Sequence, residues 1–109
     1  MNILINNYKV NIRTGGYNLY KEKKPTLLLI HGAGMDGTVW QMQTRYLANK
    51  GINVLAIDLP GHGLSEGPSL KSISKMSHWV IKLLDLLNIN SVIIAGQSVG
   101  VFIYARNLY

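Results

Sequence analysis

Ser91-Val92-Ile93-Ile94-Ala95 runs directly into Gly96-Gln97-Ser98-Val99-Gly100, an apolar stretch that ends in the pattern G-x-S-x-G. The first five residues predict a buried strand, and the glycines on either side of Ser98 predict a tight turn into a helix over Val99 to Leu108. In such a turn a serine sits at the tip of the bend with its Oγ pushed out of the sheet, placed as a nucleophile. A serine after a strand also serves as a plain helix N-cap, so the rest of the chain has to decide between the two.

Two further apolar runs, Thr26 to Ile30 and Asn53 to Ile57, read as strands buried on both faces. Between them Thr38 to Lys50 predicts a helix, with Thr38 and Gln41 at capping-box spacing and Gly51 just past its end. Ser72 to Leu87 predicts a second helix whose apolar face carries Ile73, Met76, Val80, Leu83, Leu84 and Leu87. Ahead of all these, strand-like pieces around Ile3-Leu4-Ile5 and Gly16-Tyr17-Asn18-Leu19-Tyr20, with Gly15-Gly16 as the turn, form an antiparallel lead-in. Alternation of strand and helix then predicts a mostly parallel sheet with right-handed crossovers, an α/β class of fold.

Composition narrows the function. The 109 residues make one small domain; 48% are hydrophobic and only 15% charged, which excludes disorder and leaves more apolar surface than a self-contained domain needs. The net charge of +6 has its only local cluster at Lys21, Lys23 and Lys24, a solvated loop without interleaved aromatics, so no nucleic-acid partner is expected. With no cysteine there are no disulfides or thiolate metal sites, which fits a reducing compartment. The N-terminus lacks the basic and apolar regions of a signal peptide, and no run reaches membrane-spanning length. A cytoplasmic location, no membrane association and no cofactor or metal are expected.

Two loops support the nucleophile. His31-Gly32-Ala33-Gly34 follows the Thr26–Ile30 strand, with Trp40 in the next helix, and Asp58-Leu59-Pro60-Gly61-His62-Gly63-Leu64-Ser65 follows the Asn53–Ile57 strand. Together with Gly96 to Gly100 these resemble, in order and spacing, the three loop motifs of the α/β-hydrolase family, and the resemblance covers nearly the whole chain. It implies an α/β-hydrolase sheet, with residues 1–109 as the N-terminal portion of a single domain, incomplete at its C-terminus and lacking a cap. Ser98 is then the nucleophile, and the N–H groups of Ala33 and Val99 form the oxyanion hole. His31, Gly32, Gly34, Asp58, Gly61, Gly63, Gly96 and Gly100 are implied as structural positions of the motifs. Serine at the elbow argues against the dehalogenase and epoxide-hydrolase branches, which use aspartate, and leaves hydrolysis of a small ester, thioester, lactone or C–C substrate, or acyl transfer.

In that family the acid and the histidine follow the nucleophile. After Ser98 the sequence holds neither, so the triad is not complete within these residues and little or no turnover is expected of them. The earlier histidines do not substitute: the resemblance gives His31 and His62 structural roles in their loops, and His78 shares a polar helix face with Lys71, Lys75, Lys82 and Asp85.

Two other readings compete. Gly32-x-Gly34-x-x-Gly37 after a buried strand, with Asp58 about twenty residues on, matches the dinucleotide-binding fingerprint. Alternatively the chain is a non-catalytic remnant or interaction module. If the strand at Val92-Ile93-Ile94 lies at the margin of the sheet, its apolar open edge invites self-association.

Overall fold

The computed structural model describes residues 1–16 and 25–97, and the backbone of 100–105. Six strands form one sheet in the order β1-β2-β4-β3-β5-β6. They are β1 (Asn2–Ile5), β2 (Tyr8–Arg13), β3 (Thr26–Ile30), β4 (Asn53–Ile57), β5 (Ser91–Gly96) and β6 (Gly100–Ala105), with helices α1 (Gln41–Asn49) and α2 (Ile73–Leu86). The centre is parallel, β4-β3-β5, as the strand and helix alternation predicts.

Both margins are antiparallel. β1 and β2 form the lead-in hairpin, turned by Asn6 and Asn7 at φ 52° and 68°, the paired left-handed conformation of a tight hairpin that asparagine tolerates. The lead-in's second strand is thus Tyr8–Arg13, earlier than the predicted Gly16–Tyr20 piece; Gly16 lies in a turn, and 17–20 fall outside the described residues.

The opposite margin overturns an expectation. Instead of the helix predicted over Val99 to Leu108, β6 folds back on β5 from Gly96↔Gly100 to Ser91↔Ala105. Val101-Phe102-Ile103-Tyr104 is β-branched and aromatic, a composition with strand preference, and it satisfies the backbone of β5 that would otherwise be an open edge. Val92-Ile93-Ile94 is therefore paired, and the predicted sticky edge is not at β5.

Side chains alternate across the central strands and each helix claims one face. Leu28 and Ile30 of β3, Leu55 and Ile57 of β4 and Val92 of β5 pack with Trp79, Val80, Leu83 and Leu84 of α2. Leu29, Val54 and Ala56 pack with Ala48 of α1, with Leu27, Leu47 and Ala95 at the rim. All of β4 is buried, as expected. β5 is not: Ser91 is exposed and Ile93 stays 42% exposed.

In α2, Ser72 caps the N-terminus by accepting the Lys75 N–H at 3.1 Å. The buried stripe runs through Trp79, whereas Ile73, one turn too early to meet the sheet, is 84% exposed. Before α1 the capping differs from the Thr38–Gln41 expectation: Asp36 accepts the Thr38 N–H at 2.8 Å, a 3-10 turn covers Gly37–Trp40, and the α-helix starts at Gln41. Asp36, one residue ahead of the turn, presents a charged acceptor to its free N–H groups and outcompetes Thr38.

Candidate active site

Strand register builds the site. Ile30 lies between Ile57 and Gly96, so the loops beginning at His31, Asp58 and Gln97 leave the sheet side by side at the C-terminal ends of the parallel strands, where open α/β sheets bind ligands. All three sequence motifs meet there. Ser98 and Val99 lie outside the described residues, between Gln97 and the start of β6.

His31 is buried and engaged at both ring nitrogens. Its Nε2 accepts the Leu59 N–H at 2.9 Å; since a backbone N–H can only donate, the ring proton sits on Nδ1, which donates to the Gly32 carbonyl at 2.7 Å. In a trans peptide the carbonyl and the following N–H point in opposite directions, so anchoring Gly32 O turns the Ala33 N–H away from His31. Ala33 itself is exposed.

The same logic fixes His62, whose Nε2 accepts the Gly34 N–H at 3.2 Å while Nδ1 donates to Pro60 O at 3.0 Å. The two rings lie 5.0 Å apart, tilted by 50°. Gln97, a position the sequence pattern leaves unspecified, also takes part. Its Oε1 accepts the Gly32 N–H at 2.9 Å, and its own N–H donates to Ile30 O at 2.9 Å.

Asp58 holds the loops to the sheet. Its carboxylate has no solvent exposure and accepts from the Gly37 N–H at 2.7 Å and from the Leu64 N–H, Asn11 Nδ2 and Arg13 Nη2 at 3.0 Å each. Burial pushes its carboxyl upward, but the hydrogen bonds from Asn11, Leu64 and Gly37 and the Arg13 charge outweigh this and hold it below the usual carboxylate range. Asp36 is lowered as well, by hydrogen bonds from the Thr38 hydroxyl and N–H.

Close approach explains two glycines near Asp58. A Cβ on Gly63, where φ is +51°, would lie 2.6 Å from Asp58 Oδ2, and one on Gly37 would lie 3.0 Å from both Asp58 Oδ1 and Arg13 Nε. Ser65, last in its motif, donates to Asp58 O at 2.6 Å and accepts the Asn11 N–H at 2.9 Å, joining the loop to β2.

These contacts remove the dinucleotide reading. Asp58 is sealed in the interior and cannot take a ribose hydroxyl, and the Gly37 N–H that would face a pyrophosphate is bound to Asp58. The glycine-rich segment opens a 3-10 turn rather than the first turn of an α-helix. Asn11, Arg13 and Gln97, absent from the predicted site, are central to its bracing; of the three only Gln97 lies inside a motif.

A cleft of about 640 Å³ opens at this edge between Gly34, Met35, Asp36, Val39, His62 and Gly63. Among the described residues no group of three His, Asp or Glu side chains could hold a metal ion, and no helix is long and apolar enough to cross a membrane.

Comparison with known proteins agrees with this architecture. The sequence profile of the alpha/beta hydrolase fold matches residues 25–106. The (E)-2-((N-methylformamido)methylene)succinate hydrolase of Acinetobacter baylyi is 36% identical over 91 residues, covering 83% of this chain and 34% of the relative. Among solved structures, a bacterial membrane phospholipase A superposes with a TM-score of 0.77 at 31% identity, over 92% of this chain and 31% of the other. The enol-lactonase of Burkholderia xenovorans LB400 gives 0.73 at 28% identity, over 88% and 36%. The chain spans about a third of the length of the relatives it matches.

Proposed function

This chain belongs to the α/β-hydrolase family, and on that premise we propose that it is the nucleophile-bearing portion of a serine hydrolase for an ester, thioester or related acyl substrate. Ser98 is the nucleophile, and the Ala33 and Val99 N–H groups receive the charge that develops on the substrate carbonyl oxygen. One observation carries this reading: the Gly32–Ala33 peptide is locked by His31, with its N–H turned away from that ring, in a loop that leaves the sheet next to the segment leading to Ser98. A phospholipase and an enol-lactonase among the structural neighbours fit a substrate with an acyl or lactone bond.

In this scheme Ser98 Oγ bonds to the carbonyl carbon, the tetrahedral intermediate expels the leaving group, and water releases the acyl group. A base must take the serine proton. His31 and His62 each have both ring nitrogens engaged, and His78 lines a separate cleft with Asn6 and Trp79. Neither His31 nor His62 is free to fill that role, so slow labelling of Ser98 is expected of these residues. The substrate in this reading is a small molecule.

A fluorophosphonate probe tests the assignment. Stoichiometric, slow labelling of the chain that is lost in Ser98→Ala is expected; a chain that stays unlabelled at millimolar probe over a day overturns it. A second reading draws on the Gly96↔Gly100 pairing, in which a strand rather than a helix follows the motif, and takes the chain as a non-catalytic binding module. That reading predicts no labelling of Ser98 under the same conditions.

A further inference from the structure

We infer that Gln97 is a positioning residue for the oxyanion loop, an inference that rests on the serine-hydrolase reading above. Residue 97 grips the β3 loop twice: through its N–H to Ile30 O and through its side-chain Oε1 to the Gly32 N–H, both at 2.9 Å. These two contacts straddle His31. The first holds the Ile30–His31 peptide plane and the second the His31–Gly32 plane, while the His31 ring holds the Gly32–Ala33 plane through its carbonyl at 2.7 Å.

Two planes that meet at a glycine need two anchors. Glycine has the widest choice of φ and ψ, so fixing one plane leaves the other free to swing about the Gly32 Cα. The His31 bond alone would leave the Ala33 N–H dependent on a single contact; the Gln97 bond removes the remaining freedom. The fit is close, because a Cβ on residue 32 would lie 3.1 Å from Gln97 Oε1 and would push the amide oxygen back by a few tenths of an ångström. Gln97 directly precedes Ser98 in the chain. The segment that carries the nucleophile thus also sets the donor that serves it, and displacement of one displaces the other.

The required property is an acceptor at the end of a side chain of this length. Gln97→Met keeps length and volume without the acceptor, whereas Gln97→Glu keeps an acceptor oxygen. Two readouts apply to each full-length variant: the fluorophosphonate labelling rate of Ser98, and hydrogen exchange of the Gly32 amide followed by NMR. Gln97→Met is expected to label about tenfold more slowly, as for a misplaced rather than deleted oxyanion donor, with the Gly32 amide exchanging faster and the rest of the sheet unchanged. Gln97→Glu restores Gly32 protection. The inference is overturned if Gln97→Met labels at the wild-type rate, or if the wild-type Gly32 amide exchanges as freely as an exposed loop amide. An unlabelled wild-type chain would instead count against Ser98 as nucleophile, and the Gly32 amide would still decide whether the clamp exists.

Discussion

Arg13 Nη2 stands 3.0 Å from Asp58 Oδ2, an ion pair between a residue on the lead-in hairpin and a carboxylate with no solvent exposure at the C-terminal end of the parallel strands. Removing the carboxylate strands the Arg13 guanidinium and the N–H groups of Gly37 and Leu64. Asp58→Ala should therefore cost about 3–5 kcal/mol, the range for breaking a buried pair from one side. Arg13→Ala should cost about 1 kcal/mol, because its side chain is 30% exposed and three other donors still serve Asp58. Urea unfolding of both variants checks the order; equal losses would show that the ion pair, not the backbone contacts, dominates.

The lowered carboxyl of Asp58 fixes the sign of a pH effect. As acid is added the unfolded chain takes up its proton first, near the ordinary value of about 4. Stability from the ionised form is thus complete above that value and is lost as pH falls through the lower folded value. The stability gap between wild type and Asp58→Asn should stay flat from about pH 7 to pH 5 and close at lower pH. A gap that widens on acidification would rule out an ionised hub.

Gly63 and Gly34 both adopt positive φ, but only Gly63 is crowded. Gly63→Ala drives a methyl into Asp58 and should cost about 3 kcal/mol, strain and overpacking together. Gly34→Ala, with no atom within 4 Å of its Cβ, bears backbone strain alone, about 1 kcal/mol. Thermal melts separated by several degrees would confirm the ranking, and coincident melts would refute it.

On α2, Leu83 is fully buried and Ile73 is 84% exposed. Leu83→Ala should lose about 2–5 kcal/mol and Ile73→Ala less than about 0.5 kcal/mol. A large loss at Ile73 would mean that its face is covered in solution.

Periodicity alone locates β3 and β4 to the residue and α2 to within one, because apolar runs and a serine cap are local signals. It also overrates Ile73, since a helical period does not say where along its length a helix meets the sheet. The lead-in strand Tyr8–Arg13 escapes notice because its alternation, Val10 and Ile12 inward between polar residues, is weak, and the Asn6-Asn7 turn lacks the glycine that usually marks such a hairpin. The misjudged segment is β6: a motif that implies a helix stands in front of residues whose own preference is for strand, and pairing with β5 prevails. In the site, glycine and histidine positions are readable from the motifs. Their partners Asn11, Arg13 and Gln97 are not, because long-range hydrogen bonds leave no spacing signature.

The antiparallel margins have a consequence for how the chain comes together. β1–β2 and β5–β6 join neighbours across short connections, whereas the central parallel pairs require closure over the intervening helices. Closing a long loop costs entropy that local hairpins avoid. The sheet is therefore expected to nucleate at its two borders and seal its middle last, so that pulse-labelled amides of Ile3, Val10, Ile93 and Ile103 gain protection before those of Leu28 and Leu55. The loop cluster around His31 and Asp58, assembled at the ends of the central strands, is then the last part of the molecule to exist.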